Sequence, residues 1–375
     1  MPWQERSVML QRQEFVAFSQ QEGANISALC EQCGISRKTG YKWLARAAAG
    51  DRALADHPRR PRGSPAQTSP AMEARIVALR AEHPSWGGRK LHHRLAAQGV
   101  ADVPAPSTIT AILRRHGVLT PEPPPRDFLR FEHPCPNDVW QMDFMGHRPL
   151  DRGRVHPWTL LDDHSRFALG LTACPNERQE TVIAQLTAVF RRYGLPRAIL
   201  SDNGSPWASA GRGGLTALEA WLLRRGVEPW HGRPYHPQTQ GKVERFHGTI
   251  AAEVFASRAV RDLDRAQGHF DAFRRCYNLE RPHEALGYAV PASRYQPSSR
   301  PFPETVPPIA YGPDDVVRTV TVHGSIQWQR RRYFVGRGLV GEPVAIRPTQ
   351  VDGHWHIVYC HRQVATIDLT DPDGV

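Results

Sequence analysis

The sequence predicts a multidomain protein with a helical front, an α/β centre and a small C-terminal β-barrel. Three proline-rich stretches, 57–65, 120–125 and 296–308, lack the apolar residues needed to pack and therefore divide the chain. Apolar residues recur at helical spacing before the second stretch, and short apolar strands and amphipathic helices share the region between the second and the third. After the third stretch apolar and polar residues alternate between glycine turns, which is typical of a small barrel.

The positive charge of the chain is concentrated at its front. Residues 1–130 contain 19 Lys or Arg against 11 Asp or Glu, whereas residues 298–375 contain 8 of each. Such an excess is typical of a polyanion binder. No run approaches the ~18 apolar residues of a membrane span, and the N-terminus lacks a secretory pattern. The 6 scattered cysteines fit a reducing compartment, so we expect a cytoplasmic, nucleoid-associated protein with no membrane partner.

Residues 1–55 are predicted to form a helix-turn-helix DNA-binding domain. Asn25 and Ser36 can cap the second and third of three expected helices, which are Val8–Gln20, Ile26–Gln32 and Arg37–Ala47. The third helix would bury Trp43 and Leu44 and direct its basic residues at base edges or phosphates. These DNA-binding candidates are Arg37, Lys38, Lys42 and Arg46. A plain three-helix bundle with a solvated basic face is the alternative.

After a linker at 56–70, residues 71–120 are predicted to form a second helix-turn-helix-like domain. Helices are expected over Met72–Ala81 and Arg89–Ala97, and Ser107 is expected to cap a third helix, Thr108–His116. A packing adaptor between domains is the alternative for this segment.

Two acidic residues lie on predicted strands of the segment 130–295. Trp140, Met142 and Phe144 alternate with polar positions, so Asp143 lies on the opposite face of a strand from an aromatic stripe. Asp202 directly follows the apolar strand Ala198–Ser201. An acid at the carboxyl end of a buried strand lies where open α/β sheets present their ligand-binding groups.

A third acid lies on a predicted helix, Gly241–Ile250. Val243, Phe246 and Ile250 form its apolar stripe at helical spacing, and Glu244 lies off that stripe. The helix can therefore direct Glu244 at the sheet edge that carries Asp143 and Asp202.

As a set, these motifs resemble the core of retroviral integrases and of bacterial insertion-sequence DDE transposases from the single-reading-frame branch. The matching segments are Val139–Asp143, Leu161–Phe167, Asp202–Gly204, His236–Glu244 and Tyr277–Leu286. The resemblance implies an RNase H-like catalytic core over 130–295, followed by the barrel at 315–370. It also implies an enzyme that cleaves transposon ends and transfers the 3′-hydroxyl into target DNA. Its partners would be double-stranded terminal inverted repeats and target DNA, and it would act as a homo-oligomer on paired ends.

By the same resemblance, Asp143, Asp202 and Glu244 are the catalytic residues and the ligands of two Mg²⁺ or Mn²⁺ ions per active site. Two divalent ions neutralise charge on the entering and leaving oxygens of a phosphodiester. Mg²⁺ prefers oxygen ligands and needs few protein groups. Three converging carboxylates without a cation would raise one another's pKa values.

Several neighbouring residues have competing interpretations. The 41 residues between Asp202 and Glu244 form a longer gap than integrases usually have, and the excess maps to the Gly-rich segment 208–215. Glu228 rivals Glu244 as the third acid but lacks its sequence context. Asp163 is interpreted as a structural acid that can pair with Arg166. Further DNA-binding candidates are Gln240, Lys242 and Arg245.

Two other functions remain open on the sequence alone. A DNA-binding regulator with an inactive core would bind specific sites without metal-dependent strand joining. An RNase H-like nuclease would cleave branched or hybrid nucleic acid without recognising specific ends.

Overall fold

The computed structural model describes residues 7–56, 67–119, 132–204, 207, 214–232, 241–256 and 260–370, and the chain divides into two compact units, residues 1–67 and 68–375. The first unit contains three helices packed around Phe15, Cys30 and Trp43: α1 (Val8–Ser19), α2 (Ile26–Gln32) and α3 (Arg37–Ala48). Asn25 and Ser36 accept hydrogen bonds from first-turn amides of α2 and α3, so both predicted caps are confirmed.

The second unit begins with three helices, α4 (Pro70–Glu82), α5 (Gly88–Ala97) and α6 (Pro106–Arg115). They enclose an apolar core that includes Ile76, Trp86, Leu91, Leu95 and Ile109. The predicted cap at Ser107 is wrong. Pro106 occupies the first helical turn, so the helix begins one residue before Ser107, and Ala105 at the N-cap makes no side-chain hydrogen bond.

A six-stranded mixed sheet lies at the centre of this unit. Its strands are β1 (Val139–Phe144), β2 (Arg148–Pro149), β3 (Arg154–Asp162), β4 (Ala168–Cys174), β5 (Ala198–Ser201) and β6 (Glu228–His231). β3 pairs antiparallel with β1, β2 and β4, whereas β5 pairs parallel with β1 and with β6. Parallel pairing aligns the carboxyl ends of β1, β5 and β6 at one edge.

Helices cover both faces of the sheet. α7 (Gln179–Tyr193) and α8 (Ala217–Leu223) pack on the face that buries Trp140 and Met142. α9 (Gly241–Ile250), a π-helical turn (Ala251–Phe255) and α10 (Leu263–Leu279) pack on the opposite face. This arrangement agrees with the expected RNase H-like core. None of the helices in the described ranges is long and apolar enough to cross a membrane.

The C-terminal region is all-β, as predicted. Four antiparallel strands pair in the order β12-β11-β10-β7, and β8 forms a hairpin with β9. Their bounds are β7 (Val316–Thr319), β8 (Ser325–Trp328), β9 (Arg331–Phe334), β10 (Pro343–Pro348), β11 (His354–Tyr359) and β12 (Arg362–Asp368). These described strands form an open sheet and a separate hairpin around one apolar core, so the closed barrel stays a prediction.

Both flanking regions of the second unit pack on the central sheet domain. Arg94 of α5 forms an ion pair with Glu280, and Ser85 hydrogen-bonds Glu253 of the π-helical turn. At the other side, Leu215 and Leu223 share the apolar core of the C-terminal strands. Residues 68–375 are therefore joined by side-chain contacts that cross from each region to the next.

Candidate active site

The register of the parallel strands brings two of the predicted acids together. β1 and β5 pair with Val139 opposite Ala198 and Gln141 opposite Leu200. Continuing this register by two residues places Asp143 opposite Asp202, on neighbouring strands that lie about 4.8 Å apart in sheets. Asp202 follows β5 directly, and its Oδ1 accepts a hydrogen bond of 3.0 Å from the amide of Gly204.

Glu244 lies in the first turn of α9, which packs across β1 and β3. Val243, Phe246 and Ile250 are buried against the sheet, and Glu244 is exposed. The amide of Val243 donates to Oε1 of Gln141, two residues before Asp143 on β1 (3.3 Å). The first turn of α9 is thus attached to the strand that carries the first acid.

The three acids are coupled electrostatically at Asp143. The pKa of Asp143 is raised to about 7, first by burial and then by the negative charges of Asp202, Glu244 and Glu177, against a lowering hydrogen bond from the Phe144 amide. The Asp143 side chain is 20% exposed. A site that destabilises its own carboxylate gains from binding a cation there.

His247 lies one turn after Glu244 and faces Asp143, with Nδ1 3.9 Å from Oδ2. Thr159 donates its hydroxyl proton to the Asp143 carbonyl, so His247 Nε2–H must donate to the Thr159 oxygen (2.8 Å). Burial lowers the pKa of His247 to about 4, which keeps the ring neutral. The ring therefore turns an unprotonated nitrogen towards Asp143.

A buried polar network anchors the start of α9. Asp163, which is 2% exposed, accepts from Nε2 of Gln141 (2.8 Å) and pairs with Nζ of Lys242 (2.5 Å). The suggested Asp163–Arg166 pair is therefore wrong, because Arg166 pairs with Glu132 instead. Lys242 was predicted to contact DNA phosphate, but its ammonium lies against Asp163, and burial lowers its pKa.

The chemistry of the acidic set fits a hard divalent cation. All three acids supply carboxylate oxygens, which Mg²⁺ and Mn²⁺ accept, and a cation would offset the repulsion that raises the Asp143 pKa. Within the described residues, no three His, Cys, Asp or Glu side chains are grouped closely enough to hold an ion. Repulsion between uncompensated carboxylates favours that wider spacing.

The remaining predicted residues lie in different environments. Arg37, Lys38 and Lys42 are exposed on α3, as a DNA-reading helix requires. Arg46 instead pairs with Asp51 and donates to the carbonyl of Ala55. Gln240 lies outside the described residues, and Arg245 is exposed on α9.

The rival acid Glu228 lies on β6 and pairs with His361 of the C-terminal strands. Sequence reasoning missed His247, Thr159 and the pair His231–Glu219 that contacts Asp202. The sequence did contain a signal for His247, because it lies three positions after Glu244, on the same face of a helix.

Family models match nearly every region of this chain. Two models of an integrase core domain match residues 133–237 and 225–291. A helix-turn-helix domain model matches residues 11–62 and a homeodomain-like model residues 39–113. The C-terminal domain of IS481 family transposases matches residues 315–373. These matches place an integrase core domain between helix-turn-helix domains and an insertion-element transposase C-terminal domain.

Relatives of this chain include proteins from two bacterial insertion elements. An uncharacterized 31.7 kDa protein of IS407 from Burkholderia multivorans is 26% identical over 71% of this chain and 93% of its own length. An uncharacterized 39.2 kDa protein of IS476 from Xanthomonas euvesicatoria is 27% identical over 61% of this chain and 65% of its own length. A chain of the simian T-cell lymphotropic virus intasome, solved with a PP2A regulatory subunit, overlaps with a TM-score of 0.38 at 18% identity, over 77% of this chain and 99% of that one.

Proposed function

We propose that this protein is a transposase that cleaves a phosphodiester at each end of its element and joins the freed 3′-hydroxyl to target DNA. In the first step, water attacks the terminal phosphorus and the bond to the 3′-oxygen breaks, which releases a 3′-hydroxyl. In the second, that hydroxyl attacks a target phosphodiester and displaces another 3′-oxygen. No covalent protein–DNA link forms in either step.

The observation that carries this proposal is that Asp202 and Glu244 lie near enough to Asp143 for their charges to raise its pKa. β1 and β5 place the two aspartates in register, and the charges of Asp202 and Glu244 both act on Asp143. When bound, Mg²⁺ supplies charge neutralisation on the attacking and leaving oxygens. The three side chains would hold it, and Gln141 and Thr159 would fix the elements that carry them.

The helical regions support binding of the double-stranded element ends. α3 exposes Arg37, Lys38 and Lys42 beyond the Ser36 cap. In a helix-turn-helix, such residues contact base edges and phosphates. Because two ends must be cut and joined together, we infer a homo-oligomer on DNA, with α3 of each copy reading one end.

Strand cleavage and joining on labelled DNA carrying the inverted repeats that flank the gene would test the proposal. We expect 3′-end nicks and joined products that require Mg²⁺ or Mn²⁺. Replacing any of the three acids by its amide, for instance Glu244→Gln, should lower the rate by ~10³-fold or more while end binding persists, because charge stabilisation at the metal is lost.

Glu228→Gln is the matched control, because Glu228 lies on the same sheet but pairs with His361. It should cleave at nearly the wild-type rate. Tight, specific end binding without chemistry in the wild-type protein would contradict the proposal and favour a DNA-binding regulator. Cleavage of branched DNA without specific ends would favour a structure-specific nuclease.

A further inference from the structure

A histidine–glutamate pair lies against the strand end that carries Asp202. His231 ends β6, directly opposite Ser201 in the parallel pairing with β5. Its Nδ1 lies 3.1 Å from the carbonyl oxygen of Asp202, and its Nε2 lies 2.9 Å from Oε1 of Glu219. Both partners are acceptors, so each ring nitrogen is placed to donate to one of them.

Glu219 is itself held in a fixed orientation. It is the third residue of the capping box that starts α8: its Oε2 accepts from the Thr216 amide (2.7 Å), and its own amide donates to the Thr216 hydroxyl (3.1 Å). The residue is 6% exposed. A carboxylate fixed by one oxygen presents the other to His231 in a single direction.

The pKa shifts of the two side chains agree with a hydrogen bond between them. The hydrogen bond from Glu219 raises the pKa of His231 above its ordinary value against the cost of burial. Burial alone would raise the pKa of Glu219, but the hydrogen bonds from His231 and Thr216 outweigh burial and lower it. The hydrogen bond between His231 and Glu219 therefore favours the charged form of each partner.

His231 contacts the backbone carbonyl of Asp202 and not its carboxylate. The ladder of β5 fixes the chain on the N-terminal side of Asp202, and the His231 donation fixes the carbonyl on its C-terminal side. The backbone direction at residue 202 sets where its carboxylate points towards Asp143. Displacing the His231 ring would leave the Asp202 carboxylate present but wrongly oriented.

The C-terminal domain packs against the turn that carries the capping box of Glu219. Leu215 and Ala220 pack in its apolar core, and a Cβ at Gly338 would overlap the backbone of Leu215 and Thr216. The turn that carries the capping box is therefore enclosed by residues far along the chain. Because Glu219 lies in the first turn of α8, this packing helps to fix the position of Glu219 and, through it, that of His231.

We propose that His231, oriented by Glu219, is a positioning residue that fixes Asp202 for divalent metal binding. The inference rests on the proposed function, since it assigns Asp202 to the metal. Partners that orient metal ligands typically contribute about 10- to 100-fold in metal affinity. That is the size of effect we expect here, without any loss of end binding.

The test compares His231→Phe and Glu219→Gln with wild type. Each protein is bound to uncleaved terminal-repeat DNA and titrated with Mn²⁺. Electron paramagnetic resonance measures the free Mn²⁺ at each step. Both variants should bind Mn²⁺ about 10- to 100-fold more weakly. The Mg²⁺ concentration for half-maximal cleavage should rise by a similar factor, whereas the rate at saturating Mg²⁺ should fall much less.

His361→Phe is the matched control. It removes a second histidine–glutamate pair on the same strand β6, the pair with Glu228, which does not contact Asp202. Its Mn²⁺ binding should equal that of wild type. An equal loss in this control would overturn the proposal, because it would indicate a general effect of loosening β6.

A double variant separates positioning from structure. If His231 acts through Asp202, adding His231→Phe to Asp202→Asn should weaken Mn²⁺ binding no further. A full additional loss in the double variant would overturn the proposal. If His231→Phe does not fold, Glu219→Gln decides, since it keeps the side-chain shape, and wild-type Mn²⁺ binding in that variant would refute positioning.

The two proposals fail in different ways. Wild-type protein that binds terminal DNA but shows no metal-dependent cleavage would overturn the proposed function and this inference with it. Normal cleavage by wild type together with an unchanged Mg²⁺ requirement in His231→Phe would overturn the inference alone.

Discussion

At the scale of single residues, Asp143 is the acid whose ionised form the site destabilises most clearly. Burial is the largest cause of its raised pKa, and acidic groups face it from three directions: Asp202 after β5, Glu244 on α9 and Glu177 after β4. His247, also on α9, is neutral and adds no compensating charge. The ionised form of Asp143 is therefore destabilising in the folded protein, and a bound cation would offset that destabilisation.

This cost predicts a pH dependence for the metal-free protein. The pKa of Asp143 is about 7 in the folded protein, against an ordinary value of 3.8. Between pH 3.8 and pH 7 the folded protein therefore holds a proton that the unfolded chain has lost. The free energy of unfolding should fall as the pH rises through this range. Asp143→Asn should therefore melt above wild type at pH 8 in EDTA, and the difference should shrink towards pH 5. Thermal unfolding at both pH values measures it, and a constant difference would count against a raised pKa.

The sequence offers more signal for the three candidate acids than for the residues that contact them. Asp143, Asp202 and Glu244 stand in local motifs whose residue types follow from metal chemistry. Thr159 and His247, or Asp163 and Lys242, meet only because β3 and α9 pack together. Nothing in the sequence beside Lys242 or Asp163 predicts that the two side chains pair, and the phosphate contact of Lys242 stays a prediction.

At the scale of elements, the start of α9 depends on a buried ion pair. Lys242→Met should lower the free energy of unfolding by about 3–5 kcal/mol, because it leaves the Asp163 carboxylate buried without its cation. Lys242→Met/Asp163→Asn should recover much of that loss, since the amide can still accept from Gln141. Urea unfolding followed by tryptophan fluorescence measures both.

Arg265→Met is the control, because Arg265 is 71% exposed on α10 and its partner Asp262 lies 3.9 Å away. It should cost less than about 0.5 kcal/mol. If Lys242→Met instead unfolds like wild type but binds DNA more weakly with a smaller salt slope, the phosphate-contact interpretation was right.

Element boundaries were predictable where a local rule governs them. The Asn25 and Ser36 caps follow from side-chain chemistry alone, and the Ser107 error follows from giving a serine priority over the proline before it. α10 was not predicted, although Ala266, Phe270, Phe273 and Tyr277 recur at helical spacing. Barrel closure is different, because alternation predicts strands but not which edges pair.

At the scale of the whole molecule, the charge count overstates the basic surface open to DNA. Arg94 and Arg89 in the second helical region pair with Glu280 and Glu284 of the central domain, and Arg115 pairs with Glu73. These contacts favour the adaptor interpretation for residues 71–120 where α5 meets the core. The exposed basic residues of α3 remain for DNA.

The C-terminal strands and the catalytic sheet should also unfold together. A Cβ at Gly338 would overlap backbone atoms of Leu215, Thr216 and Ala217, which cannot rotate away as a side chain can. Gly338→Ala should therefore destabilise residues 68–375 by about 1–3 kcal/mol in one transition, as overpacking does.

Gly268→Ala is the control, because a Cβ at this position on α10 meets nothing within 4 Å. Its free energy of unfolding should rise by about 0.5–1 kcal/mol. Circular dichroism and tryptophan fluorescence should give coincident melting curves for Gly338→Ala. Two separate transitions, with only one of them shifted, would mean that the C-terminal domain folds independently of the central sheet.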